Sequence, residues 1–372
     1  MAPPARNGSV DAGEVARAMH DAATLLRDHL EQVFDRFENQ VSRNHPVQEV
    51  LLDLGGHPIR IRTAGHANLP ASSFPALAHL PQPSPSNPRL TLDLVAWDEA
   101  ATGIPFPSAP WSLPALTPGT RLASPPGSHG FRLAGATRAE GIHLFDPDSR
   151  RAAWLLPDAS HMPTFHYGLP FLTVFKWWAP TVGLRLLHAG CVGLADRSAL
   201  LVGTGGSGKS TTSLLCALDG LDFLSDDICL VRPGSTPTAI NLYNSGKLHR
   251  DHLQRFPVLS SRSIDPEPDV IGKPVILIHR HFPQRVALSR PVRAILAPRV
   301  TGKPPTTVEP IPPGEALRAL APSTFVQLSP DDPSTFRDLA SLIRQIPCFR
   351  LHLGTRTEEI PPIIRELLTS LE

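Results

Sequence analysis

An excess of charge of either sign is what this sequence most plainly lacks. Its 35 Lys and Arg face 34 Asp and Glu, a net charge of +1. Without a basic surplus, no nucleic-acid partner and no anionic membrane surface is expected. Long apolar runs are missing too. None reaches the roughly 18 to 20 residues that span a bilayer, and the most aromatic stretch, LPFLTVFKWWAP, is short and carries Lys176. The opening residues MAPPARNGSVDAGE have no apolar core of the secretory kind. Cysteine is scarce. Cys191, Cys216, Cys229 and Cys348 show no C-x-x-C spacing, which argues for reduced, buried thiols and a cytoplasmic protein. Proline is abundant instead, 42 residues, gathered between the periodic segments as stiff connections.

A length of 372 residues suits about two domains. Residues 12–41 predict one amphipathic helix, with Val15, Met19, Ala22, Leu26, Leu30, Val33 and Phe37 at steps of three and four. Such a stripe docks on a domain or pairs with a second copy, so a homo-oligomer is conceivable. EVLLDLGGHPIRIRTAG alternates like a hairpin around Gly55-Gly56. The expected organisation is a tail and helix over 1–46, a small strand-rich domain over 47–180, and an α/β domain over 181–372. Trp177 and Trp178 read as core aromatics at the junction.

In the last of these, LRLLHAGCVGL and ALLVG are strands joined by the tight turn ADRS, a connection short enough only for antiparallel neighbours. There follows Gly203-Thr204-Gly205-Gly206-Ser207-Gly208-Lys209-Ser210, which fits G-x-x-x-x-G-K-[ST] at every fixed position. Glycines let successive N–H groups turn inward toward phosphate oxygens, and the next helix offers its positive end to the same anion. Lys209 would reach the terminal phosphates, the Ser210 hydroxyl would ligate Mg²⁺, and Thr211 extends the hydroxyl-rich first turn. A preceding strand and a following helix that ends at Gly220 make the motif specific for a nucleoside triphosphate; ATP with Mg²⁺ is the expected donor.

Asp226 and Asp227 lie just beyond that helix. Neighbours in a strand point to opposite faces, but at a strand end both can approach one phosphate. One would hold the metal through water and the other accept a hydroxyl proton. His188 sits 21 positions before Lys209, where the hairpin brings it back toward the loop as a catalytic candidate that would tune the aspartates.

The run LLHAGCVGLADRSALLVGTGGSGKSTTSLLCALDGLDFLSDDICLV, residues 186–231, resembles the kinase domain of HPr kinase/phosphorylase. The resemblance implies a mixed-sheet P-loop kinase fold related to phosphoenolpyruvate carboxykinase. It also implies Asp226 as the base acting on a serine hydroxyl, Asp227 and Ser210 at the metal, and Lys209 with the loop amides at the phosphates. A looser likeness through NLYNSGKLHR, VRAILAPRVTG, APSTFVQL and IPCFRLHLG is to related serine kinases with a different N-terminal domain, some of which phosphorylate precursor peptides. The family's E-[IV]-R-G-[IL]-G stretch has no counterpart; GKLHRDHLQRFPVLSSR stands in its place. The expected acceptor is therefore a serine on a peptide or small protein other than HPr. Lys247 and Arg293 are further candidates for contacts to phosphate or substrate. A small-molecule phosphotransferase or carboxykinase-like enzyme, and a nucleotide-responsive non-catalytic binding module, are the alternatives. HRHF and HRDH read as exposed basic positions, since nothing completes a tetrahedral metal site.

Overall fold

The computed structural model describes residues 12–66, 68–86, 89–108, 130–135, 141–160, 162, 165–264, 273–328 and 334–371. The chain is mixed α/β and divides into two compact units. One comprises residues 1–50, 60–69 and 92–162, the other 51–59, 70–91 and 163–372. Among the described residues no helix is long and apolar enough to cross a membrane.

Most residues of a six-stranded sheet in the order β1-β2-β3-β6-β5-β4 fall in the first unit. Its strands are β1 (Val47–Asp53), β2 (Pro58–Ala64), β3 (Leu92–Asp98), β4 (Arg132–Gly135), β5 (Ile142–Asp146) and β6 (Arg151–Leu156). β3 is buried along its whole length, as a central strand with both faces covered must be. It runs parallel to β6, a pairing between segments far apart in sequence. The helix Ala12–Arg36 supplies Leu26, Leu30, Val33 and Phe34 to a core shared with Val95, Trp97, Leu144, Ala153 and Leu155. Phe37 continues that face, although the helix widens to π geometry over Phe37–Val41. At the end of β3 the Asp98 carboxylate accepts from the Ala101 N–H and starts a short helix; Gly103, left-handed at φ 63°, ends it.

In the second unit, β7 (Arg185–Leu187), β8 (Ala189–Leu194), β9 (Arg197–Val202), β10 (Asp222–Ser225), β11 (Cys229–Arg232), β12 (Thr238–Ile240) and the long β16 (Ser289–Val300) run β10-β8-β9-β16-β12-β11-β7. β8 and β9 are antiparallel, as the tight turn requires. β16 is parallel to β9 and to β18 (Cys348–Leu353), which carries β17 (Thr307–Pro310) on its edge. The sheet order leaves β8 and returns to β7, one residue away in the chain. The sheet thus curls around Leu187, Ala189, Cys191, Leu200, Val202, Cys229, Val292 and Ile295, closed over by Ala316 and Leu320 of the helix Pro313–Leu328. All four cysteines are free and buried. A separate small sheet, β13 (Ser245–Lys247), β15 (Val275–Leu277) and β14 (Ser263–Ile264), runs in the order β13-β15-β14.

Candidate phosphate-binding site

The loop 203–208 leaves the sheet at the end of β9 and enters the helix Lys209–Leu218. That helix is anchored on two sides. Cys216 packs with Val192, Leu201 and Ile364; Leu214 and Ala217 pack with Phe223, Leu248, Ile276 and Ile278. Burying a side chain such as Leu214 is worth about 1.5 to 3 kcal/mol, and the smaller Cys216 and Ala217 add to it, so the helix is held on both sides. Glycine is required at Gly208, and space is tight at Gly203. Gly208 sits at φ 101°, and a Cβ there would overlap the Leu353 Cδ1 atom. At Gly203 a Cβ would lie 2.6 Å from the Ser207 Oγ. Gly205 and Gly206 face open space, where an anion has room to approach the backbone.

No side chain caps the helix, and the buried hydroxyls of Ser207 and Thr212 have no hydrogen-bond partner. Donors are therefore held ready at the positive end of a helix dipole. The buried Lys209 ammonium turns back onto the loop, donating to the Gly203 carbonyl at 2.6 Å and the Thr204 carbonyl at 3.2 Å. Burial lowers its pKa against the opposing pull of Asp227 and Asp226, and the Lys273 charge lowers it further. These features fit a polyphosphate.

β10 is bulged between Phe223 and Ser225 and ends there, so Asp226 and Asp227 lie in the bend before β11 rather than within one continuous strand. The bend separates two environments. Asp226 is 1% exposed. Its Oδ1 accepts from the Ser213 hydroxyl at 3.1 Å and its Oδ2 from the Lys247 N–H at 2.8 Å. Burial, and then the charge on Asp227, raises its pKa; the hydrogen bonds from the Lys247 N–H and the Ser210 hydroxyl oppose this. The Asp227 side chain keeps 28% of its surface. Its Oδ1 meets His188 Nε2 at 2.6 Å and its Oδ2 accepts from Lys247 Nζ at 3.0 Å. Burial alone would raise its pKa, but the Lys247 charge and the His188 hydrogen bond outweigh burial and hold the carboxyl well below the usual range.

The structure therefore gathers Lys209, Ser210, Asp226, Asp227, His188 and Lys247 at one end of the sheet. Of the two acids, Asp227 keeps an exposed edge, whereas Asp226 lies beneath Ser210 and Ser213. Arg293 is not part of the group. It follows Val292, the partner of Ser198, and its charge is felt by Asp196. It is thus at the start of β9, roughly 13 Å along the strand from the loop. Sequence reasoning did not single out Ser213 or Lys273. Ser213 was legible as a hydroxyl one helical turn after Ser210. Lys273 was not, because only the pairing of Val275 with Lys247 brings its segment to the site. Among the described residues no group of three or more His, Cys, Asp or Glu could hold a metal unaided; a cation here would share phosphate oxygens with Ser210 and one carboxylate.

No family model matches the chain, and no curated protein does. Among solved structures, that of the HPr(Ser) kinase/phosphatase from Coxiella burnetii is similar at 14% identity and a TM-score of 0.26. The match spans 50% of this chain and 93% of that one.

Proposed function

We propose that the protein is an ATP-dependent kinase that phosphorylates a serine hydroxyl of a peptide or small protein other than HPr. The observation that carries this reading is the placing of the two acids. One supports the hydroxyl-rich helix start from below, and the other stands open between a lysine and a histidine. A simple binding loop needs neither.

In this reading the loop amides, Lys209 and the helix N-terminus hold the phosphates. Ser210, with Asp226 behind it, serves Mg²⁺; the bound Mg·ATP supplies an electrophilic phosphorus and neutralises its charge. The sequence reading gave the base to Asp226, and the geometry favours exchanging the two roles. Both carboxylates are hydrogen-bonded at each oxygen, but Asp226 is buried whereas Asp227 has an exposed edge. While Lys247 and His188 grip it, Asp227 is a weak base. Drawing the Lys247 ammonium toward phosphate oxygens restores its basicity as the acceptor hydroxyl arrives. Asp227 then takes the hydroxyl proton while the acceptor oxygen bonds to phosphorus and the bond to the leaving diphosphate breaks. His188 stays on the other oxygen and fixes the direction of the carboxylate.

The test is incubation with Mg·ATP and a serine-containing peptide library, read by mass spectrometry, beside Lys209→Ala. Peptides heavier by one phosphate with the wild type and not with the variant are expected. Transfer to small metabolites alone would replace this reading with a small-molecule phosphotransferase, and no transfer at all would leave a binding module.

A further inference from the structure

The chain breaks at His188, and this break is not explained by the strands around it. Leu187 pairs with Cys229 in one ladder, and Ala189 pairs with Val202 in the other. His188 stands between the ladders, so its buried N–H has no strand partner. It donates to the Thr324 hydroxyl at 3.1 Å. Thr324 is itself fully buried, on the helix Pro313–Leu328. That helix is held to the same stretch of chain through Ala316 and Leu320, which pack with Leu187, Ala189 and Val202. On the far side of the break, the Ser225 hydroxyl donates to the Ala189 carbonyl at 3.0 Å, tying it to the strand that delivers the aspartates.

We propose that Thr324 is a positioning residue of the phosphotransfer site: its hydroxyl sets the backbone turn at His188 and so the direction from which the imidazole meets Asp227. The case rests on three features. A buried donor outside any ladder must find an acceptor or be lost. A hydroxyl on a docked helix is a fixed acceptor, where a water would not be. The imidazole is held at one end only: Nε2 is on Asp227 at 2.6 Å, while Nδ1 is buried with no partner. Nothing bonded to the ring from behind aims it, so its aim comes from the main chain, which Thr324 holds.

The catalytic consequence rests on the kinase reading above; the geometric one does not. The experiment compares Thr324→Val, Thr324→Ala and Thr324→Ser with the wild type. The first readout needs no activity: the ring N–H proton resonance of His188 in nucleotide-free protein, assigned with His188→Gln. The second is kcat and KM for nucleotide with an accepted peptide. Val and Ala remove the acceptor. They are expected to shift or broaden the resonance and to lower kcat about tenfold, the worth of one net hydrogen bond, with nucleotide KM changed by less than about twofold. Ser restores both. An unchanged His188 resonance in whichever of Val or Ala folds overturns the proposal. So does a folded Ser variant as impaired as Ala, which would mark a packing role. A shifted resonance without any kcat change removes the catalytic part, and a wild type that transfers no phosphate removes the kinase reading while the resonance still decides the positioning.

Discussion

Replacing Asp227 with Asn tests the heart of the site, because its carboxylate faces two donors at once. Lys247 Nζ is 3.0 Å from one oxygen and His188 Nε2 2.6 Å from the other. An amide keeps one acceptor and turns an NH₂ toward the remaining donor. One charge-assisted hydrogen bond, worth about 1.5 to 3 kcal/mol, is lost, and Lys247, only 13% exposed, keeps a charge with a weaker partner. A loss of about 3 kcal/mol at neutral pH is expected. The pH dependence follows from the depressed carboxyl. A folded-state value below the unfolded one, about 3.9, means that the stabilisation is fully present above about pH 4. It is lost as pH falls through the folded value, which lies well below the usual range. Urea unfolding of wild type and Asp227→Asn should therefore differ by about 3 kcal/mol at pH 7, and the two should draw together in strong acid. On the functional side, phosphoryl transfer should fall about 10² to 10⁴-fold, the usual contribution of a general base, while a fluorescent ATP analogue still binds. Equal stability at pH 7, or a gap that does not narrow on acidification, would refute the reasoning about the ion pairs. Unaltered transfer would refute the role.

Gly208→Ala places a side chain at φ 101° and against Leu353. It should cost more than about 2 kcal/mol in urea unfolding and abolish nucleotide binding, and trimming Leu353 to Ala in the same chain should recover only the clash, not the strain. His79, buried within hydrogen-bonding distance of Asn244, has its pKa pushed down to about 4, chiefly by burial. The folded state thus refuses a proton that the unfolded state takes below about pH 6.5. Its stabilisation is present above that pH and is lost between about 6.5 and 4, about 3 kcal/mol in all. His79→Gln should flatten the fall in melting temperature over this window, and parallel curves for the two proteins would contradict it.

The phosphate loop and the hairpin before it were legible because their signals are local. Glycine spacing, an apolar strand and a short turn each act within a few residues. The two strand breaks were less so. LRLLHAGCVGL and LDFLSDDICLV each read as one strand, and each divides at candidate site residues: His188 in the first, Asp226 and Asp227 in the second. A strand end at the Asp pair was only one option in the local pattern, and nothing local marks His188, because that break arises where one stretch of chain must serve two ladders. β16 was legible through VRAILAPRV except for its first three residues, but the same limit misplaced Arg293. Residue type suggested a phosphate clamp, but parallel register with β9 set it at the wrong end. In the first unit, alternation and turns announced strands, yet the parallel pairing of β3 with β6 depends on packing that no window of sequence contains.

The return of Lys209 onto the Gly203 and Thr204 carbonyls has a kinetic meaning. With its own cation already satisfying those oxygens, the loop does not wait for a visitor to acquire its shape. Capture becomes a swap of partners rather than a disorder-to-order transition. Association should then respond steeply to ionic strength and to viscogens but only weakly to temperature, and the bound and free loops should resist proteases alike.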